Sequence, residues 1–206
     1  QHLPVHYIYE PKIGIPYARN RALSETTEEL LAFIDDDCTV SPQWSMNMLE
    51  AHQRFPKAVA IQGRSISLPR QSVYSIVAEF LWFNWVNYSI YTGKKPSNLR
   101  TKIQENPTLR HLDTKNVSFK VNRIRRLQMR FDTNFERSED FDFARKLVSK
   151  KQQIRFYPKS FVFHWERQDF LSFVKQCFQR GIGSQRYAAK WYKKKQLHNK
   201  ISLFSR

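Results

Sequence analysis

At 206 residues the chain has room for one domain with an appendage, and 41% hydrophobic residues suffice for a real core. Lys and Arg number 35 against 18 acids, a formal charge of +17 with pI near 10.1, which points to anionic partners: nucleic acid, anionic lipid or a phosphorylated substrate. No run of about 18 apolar residues suggests a membrane span, no leader-like pattern stands out, and two cysteines, Cys38 and Cys177, exclude a disulfide scaffold and suit a reducing, cytoplasmic compartment.

Residues 3–9 alternate enough for a strand. Gly14-Ile15-Pro16 marks a turn, and residues 18–24 open a helix that runs on into the acidic stretch 25–29. Leu30-Leu31-Ala32-Phe33-Ile34 is a short buried strand. Ser41-Pro42 starts a helix that reaches about Arg54, with Trp44, Met48 and Leu49 on one side. Residues 58–63 form another strand. This β-α-β-α-β order predicts an α/β fold with a mostly parallel central sheet flanked by helices. Residues 72–91 read as a helix that is aromatic on several sides, and the polar stretch 94–107 as a mobile loop. Residues 116–120 form a strand. Ser138 caps a helix through Val148, whose buried face holds Phe143, Ala144, Leu147 and Val148. Residues 154–157 and 161–164 form two short strands, and 169–195 a long, increasingly basic helical segment. The expected boundaries are a main α/β domain over 1–168 and a basic helical C-terminal extension over 169–206.

Asp35, Asp36 and Asp37 end the first apolar run, an unexpected placement in so basic a chain. Adjacent like charges repel and raise one another's pKa. A hard divalent cation reverses that cost, because it takes carboxylate oxygens. Strand ends are also where open α/β sheets bind ligands. Aspartates equally break strands and start helices. A second acidic cluster, Glu139-Asp140-Phe141-Asp142, sits at a predicted helix N-terminus, where the helix dipole favours carboxylates. The same position can hold a general base for a hydroxyl proton. His164 ends a strand, where it is either structural or a ligand beside carboxylates, since imidazole binds manganese as well as zinc.

The ordered set is more specific than its parts. Gly14-x-x-x-Ala18-Arg19-Asn20 is followed by the strand ending in Asp35-Asp36-Asp37. Asn116-Val117-Ser118-Phe119 comes next, then Phe131-Asp132-x-x-Phe135, Glu139-Asp140-x-Asp142-x-x-x-Arg145 and His164. This set resembles a family 2 glycosyltransferase of the GT-A fold, over about residues 3–164. The resemblance implies that Asp35 or Asp36 contacts the ribose or sugar of a nucleotide-sugar donor, with Arg19 and Asn116 in the same donor site. Asp37, with His164, would hold Mn²⁺ or Mg²⁺ against the diphosphate. Asp140 would deprotonate an acceptor hydroxyl with Glu139 beside it, and the sugar would be moved with inversion. Two departures from the family pattern stand out. The family's first strand has no counterpart before Gln1, which implies an N-terminally truncated chain. Lys115 also stands before Asn116, where the family often has Gly.

The basic stretch 186–200 interleaves Trp191 and Tyr192 with cations. With the aromatic helix it suggests a peripheral contact with an anionic membrane at its cytoplasmic face, so that the acceptor is a glycan or a lipid-linked glycan. Two other functions suit the composition. One is a basic nucleic-acid-binding domain, which leaves the carboxylate clusters unexplained, so no specific nucleic acid is expected. The other is an inactive membrane or assembly module of the same fold.

Overall fold

A computed structural model describes residues 5–69, 72–78, 80–81 and 108–203, with side chains described up to residue 191. In chain order the elements are α1 (Ile15–Glu25), β1 (Leu30–Ile34), β2 (Cys38–Val40), α2 (Trp44–Arg54), β3 (Ala58–Leu68), β4 (Thr108–Leu109), β5 (Asn116–Lys120), α3 (Val121–Arg126), α4 (Glu139–Ser149), β6 (Gln153–Trp165) and α5 (Phe170–Leu203). Residues 73–78 and 80–81 are also helical. The rest of the expected aromatic helix and the whole expected loop at 94–107 lie outside the described residues.

The six strands form one sheet in the order β1-β5-β3-β6-β2, with β4 also paired to β6. β3 and β5 are buried almost throughout, as central strands covered on both faces must be. The main core lies between the sheet and α4, where Phe119, Phe131 and Phe143 meet. Phe131 and Phe143 stack with centroids 4.2 Å apart. On another part of the sheet, α2 packs Met48 and Ala51 against Ile61 and Tyr157.

Four expectations need correction. The sheet is mixed, not mostly parallel: β3 and β6 pair in parallel, and the other ladders are antiparallel. β1, β3 and β6 do share one direction, as the β-α-β order requires. β5 inserts between β1 and β3 in the opposite sense, because apolar patterning fixes a strand's faces but not its direction. Among residues 5–9 no strand forms; Val5, Tyr7 and Tyr9 are exposed and no ladder partner is present for them among the described residues. The two strands expected at 154–157 and 161–164 are one, β6, whose pairing with β3 shifts register between Gln62 and Arg64. That irregularity carries the chain past Pro158, which has no N–H to give to a ladder. Ser138 precedes α4 as expected, but in the left-handed conformation (φ 65°) and without a side-chain cap.

Candidate active site

In the segment Gly14 to Asn20, the motif residues Gly14, Arg19 and Asn20 each have a structural reason. Gly14 has φ 135°, which an L side chain rarely adopts, and it turns the chain into α1. Arg19 projects from α1 onto two carboxylates: it pairs with Glu139 at the start of α4 and stands 3.6 Å from Asp35 at the end of β1. Its guanidinium also lies 5.7 Å from the centre of the Phe131 ring. Asn20 exchanges two hydrogen bonds of 2.9 Å with the backbone of Phe131, accepting from its N–H and donating to its carbonyl. One turn of helix therefore binds the strand-end aspartates to the acidic start of α4, over a hundred residues away.

The second half of the site is set by a ladder. β2 runs antiparallel to β6 with Cys38 opposite His164, and the Trp165 N–H donates to the Asp37 carbonyl at 3.0 Å. This register brings His164 Nε2 to 3.3 Å from Asp37 Oδ1. One ligand atom from each of Asp37, Cys38 and His164 falls within 4.8 Å of the others. His164 Nδ1 meets Glu166 Oε1 at 2.8 Å, and Ser67 donates to the same carboxylate at 3.0 Å. A carboxylate behind an imidazole fixes the ring and leaves its other nitrogen for a cation. The donor set fits a divalent ion: Asp37 offers hard oxygen and His164 a nitrogen suited to manganese. Burial, then Asp37 and Asp35, push the Cys38 thiol up to about 12, so it is a poor ligand for a hard cation.

Three further residues join the site: Lys115, which stands out in the sequence as a departure from the family motif, and Asp113 and Glu166, which no motif names. Asp113 lies before β5 and raises the pKa of both Asp35 and Asp140. Lys115 is nearly buried, with Nζ 3.3 Å from Asp113 Oδ2. Burial opposes its charge, but Asp113 and Glu166 outweigh it and hold the ammonium above the ordinary lysine range. Glu166 is the third; despite burial, His164, Lys115 and Ser67 hold it below the usual carboxylate range. Its signal was present in the sequence, since Glu166 lies two residues after His164 where the chain leaves β6, and residues two apart in extended backbone share a face.

The structure gathers Arg19, Asp35, Asp37, Glu139, Asp140 and His164 at one end of the sheet. Asp36, in the turn between β1 and β2, is exposed. Asp140 is partly buried, and burial, Glu139 and Asp113 push its pKa well above the normal range against the pull of Arg19. Asn116 is the exception among the expected donor contacts. It is fully buried, with Nδ2 donating to Arg64 O at 2.8 Å and Ser160 O at 3.1 Å, while Oδ1 accepts from Trp44 Nε1 at 2.9 Å. Its polar atoms are taken by protein partners, so it ties β3, β5 and β6 together and presents nothing to a ligand. Asp142 is likewise structural: fully buried, it accepts from Lys190 Nζ at 2.7 Å and from Trp191 Nε1 at 3.0 Å on α5. Lys190 also reaches Asp132 at 2.7 Å. Beside the start of α4 a cleft of about 290 Å³ opens, lined by Gly14, Arg137, Gln179, Gly183 and Arg186 among others.

Comparison with known proteins places this geometry. Residues 1–122 match the family model for glycosyl transferase family 2. A 50-residue stretch is 36% identical to a glucosyl-dolichyl phosphate glucuronosyltransferase of Haloferax volcanii, covering 24% of this chain and 16% of that protein. A 57-residue stretch is 42% identical to the succinoglycan biosynthesis protein ExoM of Rhizobium meliloti, covering 28% of this chain and 18% of that protein. These matches thus span less than a fifth of either relative's length. Among solved structures, S. aureus TarS 1-349 in complex with UDP-GlcNAc superposes with TM-score 0.51 at 13% identity, over 76% of this chain and 40% of that one. GalNAc-T7 with UDP, GalNAc and Mn²⁺ gives TM-score 0.52 at 14% identity, over 76% of this chain and 31% of that one. The fold is GT-A, and the chain belongs to glycosyl transferase family 2.

Proposed function

We propose that this chain carries out inverting, metal-assisted sugar transfer from a nucleotide-sugar donor to a hydroxyl of a glycan or lipid-linked glycan, in polysaccharide or glycolipid synthesis. The observation that carries the reading is the convergence of Asp35, the Asp37–His164 pair and the Glu139–Asp140 pair, with Arg19 bridging Asp35 and Glu139. Residues 1–168 are read as the catalytic domain and 169–206 as its basic extension. Asp35 and Asp36 are the groups offered to the donor's ribose or sugar. Asp37 and His164 would hold Mn²⁺ or Mg²⁺, which when bound neutralises charge on the diphosphate.

In this reading Asp140 takes the proton of the acceptor hydroxyl. The acceptor oxygen bonds to the anomeric carbon from the face opposite the diphosphate. The bond from that carbon to the diphosphate oxygen breaks, and its electron pair leaves with the nucleoside diphosphate. A base works best with a pKa near the operating pH, and the raised pKa of Asp140 is in that sense. Arg19 holds Glu139 beside it. Lys115 adds a fixed positive charge among the site carboxylates. The cleft beside α4 is the approach favoured for the acceptor. Cys38 and Cys177 are both unbridged, which suits the cytoplasmic side of a membrane.

The test is a thermal-shift panel of uridine, guanosine and thymidine diphosphates with and without Mn²⁺. A ligand at a hundred times its Kd adds about 2.7 kcal/mol. One nucleotide should raise the melting temperature only with metal, and Asp37→Ala should abolish that shift while leaving the ligand-free melt intact. An equal, metal-dependent shift in the variant would sink the metal assignment.

A further inference from the structure

Helical residues 73–78 and 80–81 pack with the wrong side inward. Ser75 (1% exposed) and Ala78 (8%) are buried, whereas Val73 (70%), Ile76, Val77, Phe80 and Leu81 face solvent. Their spacing, i, i+3, i+4, i+7, i+8, is that of one continuous helix face. α5 repeats the pattern. At 100° per residue, Leu171, Val174 and Phe178 fall on one side, and Gln179, Gly183, Tyr187 and Lys190 on the opposite one. The second side is the one packed on α4: a Cβ on Gly183 would stand 2.7 Å from Ser138 Oγ, and Lys190 is paired with Asp132 and Asp142. The first side is bare, with Leu171 78% and Phe178 71% exposed. The two helices are neighbours, since the Tyr74 and Phe173 rings lie 5.2 Å apart.

Soluble monomers rarely expose a contiguous apolar surface of this kind without a partner. Charge selects among the partners. From Phe170 to Leu203 the sequence has eight Lys and Arg and no acidic residue. Apolar residues flanked by cations on a helix suit an anionic bilayer surface, with the helix lying in the interface. No helix among the described residues is long and apolar enough to cross a membrane.

We propose that the outer faces of helical residues 73–78 and 80–81 and of the first turns of α5 form a docking face for anionic lipid. The same α5 that carries this face packs its other side against the start of α4, next to Glu139 and Asp140. Docking would therefore hold the acidic cluster close to the plane where a lipid-linked acceptor presents its hydroxyl. The inference deepens the acceptor reading above and is independent of which donor is used.

The experiment is vesicle flotation of the full chain, on phosphatidylcholine alone and with about a third phosphatidylglycerol. The expected result is binding to the anionic vesicles that falls with salt. Val174→Asp/Phe178→Asp and Val73→Asp/Ile76→Asp should each weaken it at least tenfold. These positions are exposed and lie outside the site, so the metal-dependent nucleotide shift should persist in both variants. That shift reports on the transferase reading separately from docking. Wild-type protein that does not float, or double variants that float like it, would overturn the proposal. So would a dimer in sedimentation velocity that these variants dissociate, because the face would then pair two copies of the chain.

Discussion

Arg19 joins carboxylates that are separated by about half the chain, and its neighbour Asp140 titrates accordingly. Asp140 is raised by burial, then by Glu139 and Asp113. A folded pKa above the unfolded value gives stability that is complete below the unfolded pKa, about 4 for a free aspartate. That stability is lost as pH rises through the folded pKa. Turnover runs the other way, rising with pH as the base ionises. Asp140→Asn should therefore melt at a higher temperature than wild type at neutral pH, yet lose on the order of 10²–10⁴ in turnover with donor affinity kept. Melting curves and initial rates on the same preparations check both halves; near-normal turnover would move the base elsewhere. Ser138, left-handed beside it, predicts a contrast: Ser138→Gly should keep stability, while Ser138→Val should lose about 1–3 kcal/mol in urea titrations. The aspartate triplet, Glu139-Asp140 and His164 were legible in the sequence because each ends or starts an element. Lys115 stood out as a departure from the family motif, but Asp113 was not tied to the site, because only the turn before β5 brings it there. Asn116 misled, since residue type does not say which side of a strand faces the ligand.

Among elements, the packing of α5 on α4 is the least foreseeable from patterning. The third acid of the Glu139-Asp140-x-Asp142 segment reads as part of the acidic site, but it is buried beneath α5. Lys190 bridges Asp132 and Asp142 and lies 5.0 Å from the Phe135 ring centre, and Arg145 lies 5.7 Å from that of Trp191. Two motif positions, Asp132 and Asp142, are thus a socket for one lysine. Lys190→Met keeps the apolar stem and removes the charge. It should cost about 3 kcal/mol, the low end for a broken buried pair, because Asp142 retains Lys146 and Trp191. Chemical denaturation measures this, and a loss within error would show that α5 is held by apolar contacts alone. The helices around α1, α2 and α4 fell within a few residues of their expected places because apolar periodicity reports burial, whereas the short α3 was not read at all and α5 runs to Leu203, past the expected end near 195. Strand direction and the joining of β6 into one element were not legible, since neither leaves a periodic trace.

The sequence is strongly basic, and among the described residues the site carboxylates Asp35, Asp37, Glu139 and Asp140 form an acidic patch at the sheet end, while α5 carries no acid. That division predicts weak, general polyanion binding. Affinity for single-stranded RNA should fall at least about tenfold from low to physiological salt and be equal for unrelated sequences in filter binding. A salt-resistant, sequence-selective complex would favour a nucleic-acid function instead. The two cysteines divide similarly. With its thiol pushed up to about 12, Cys38 is held as the unreactive thiol at neutral pH, whereas Cys177 is exposed on α5 beside Phe178. A thiol-reactive dye will therefore choose one position on the untouched protein, and that position adjoins the bare apolar stripe. The chain comes with its own single-site optical probe: an environment-sensitive fluorophore at Cys177 will change colour when that stripe leaves water.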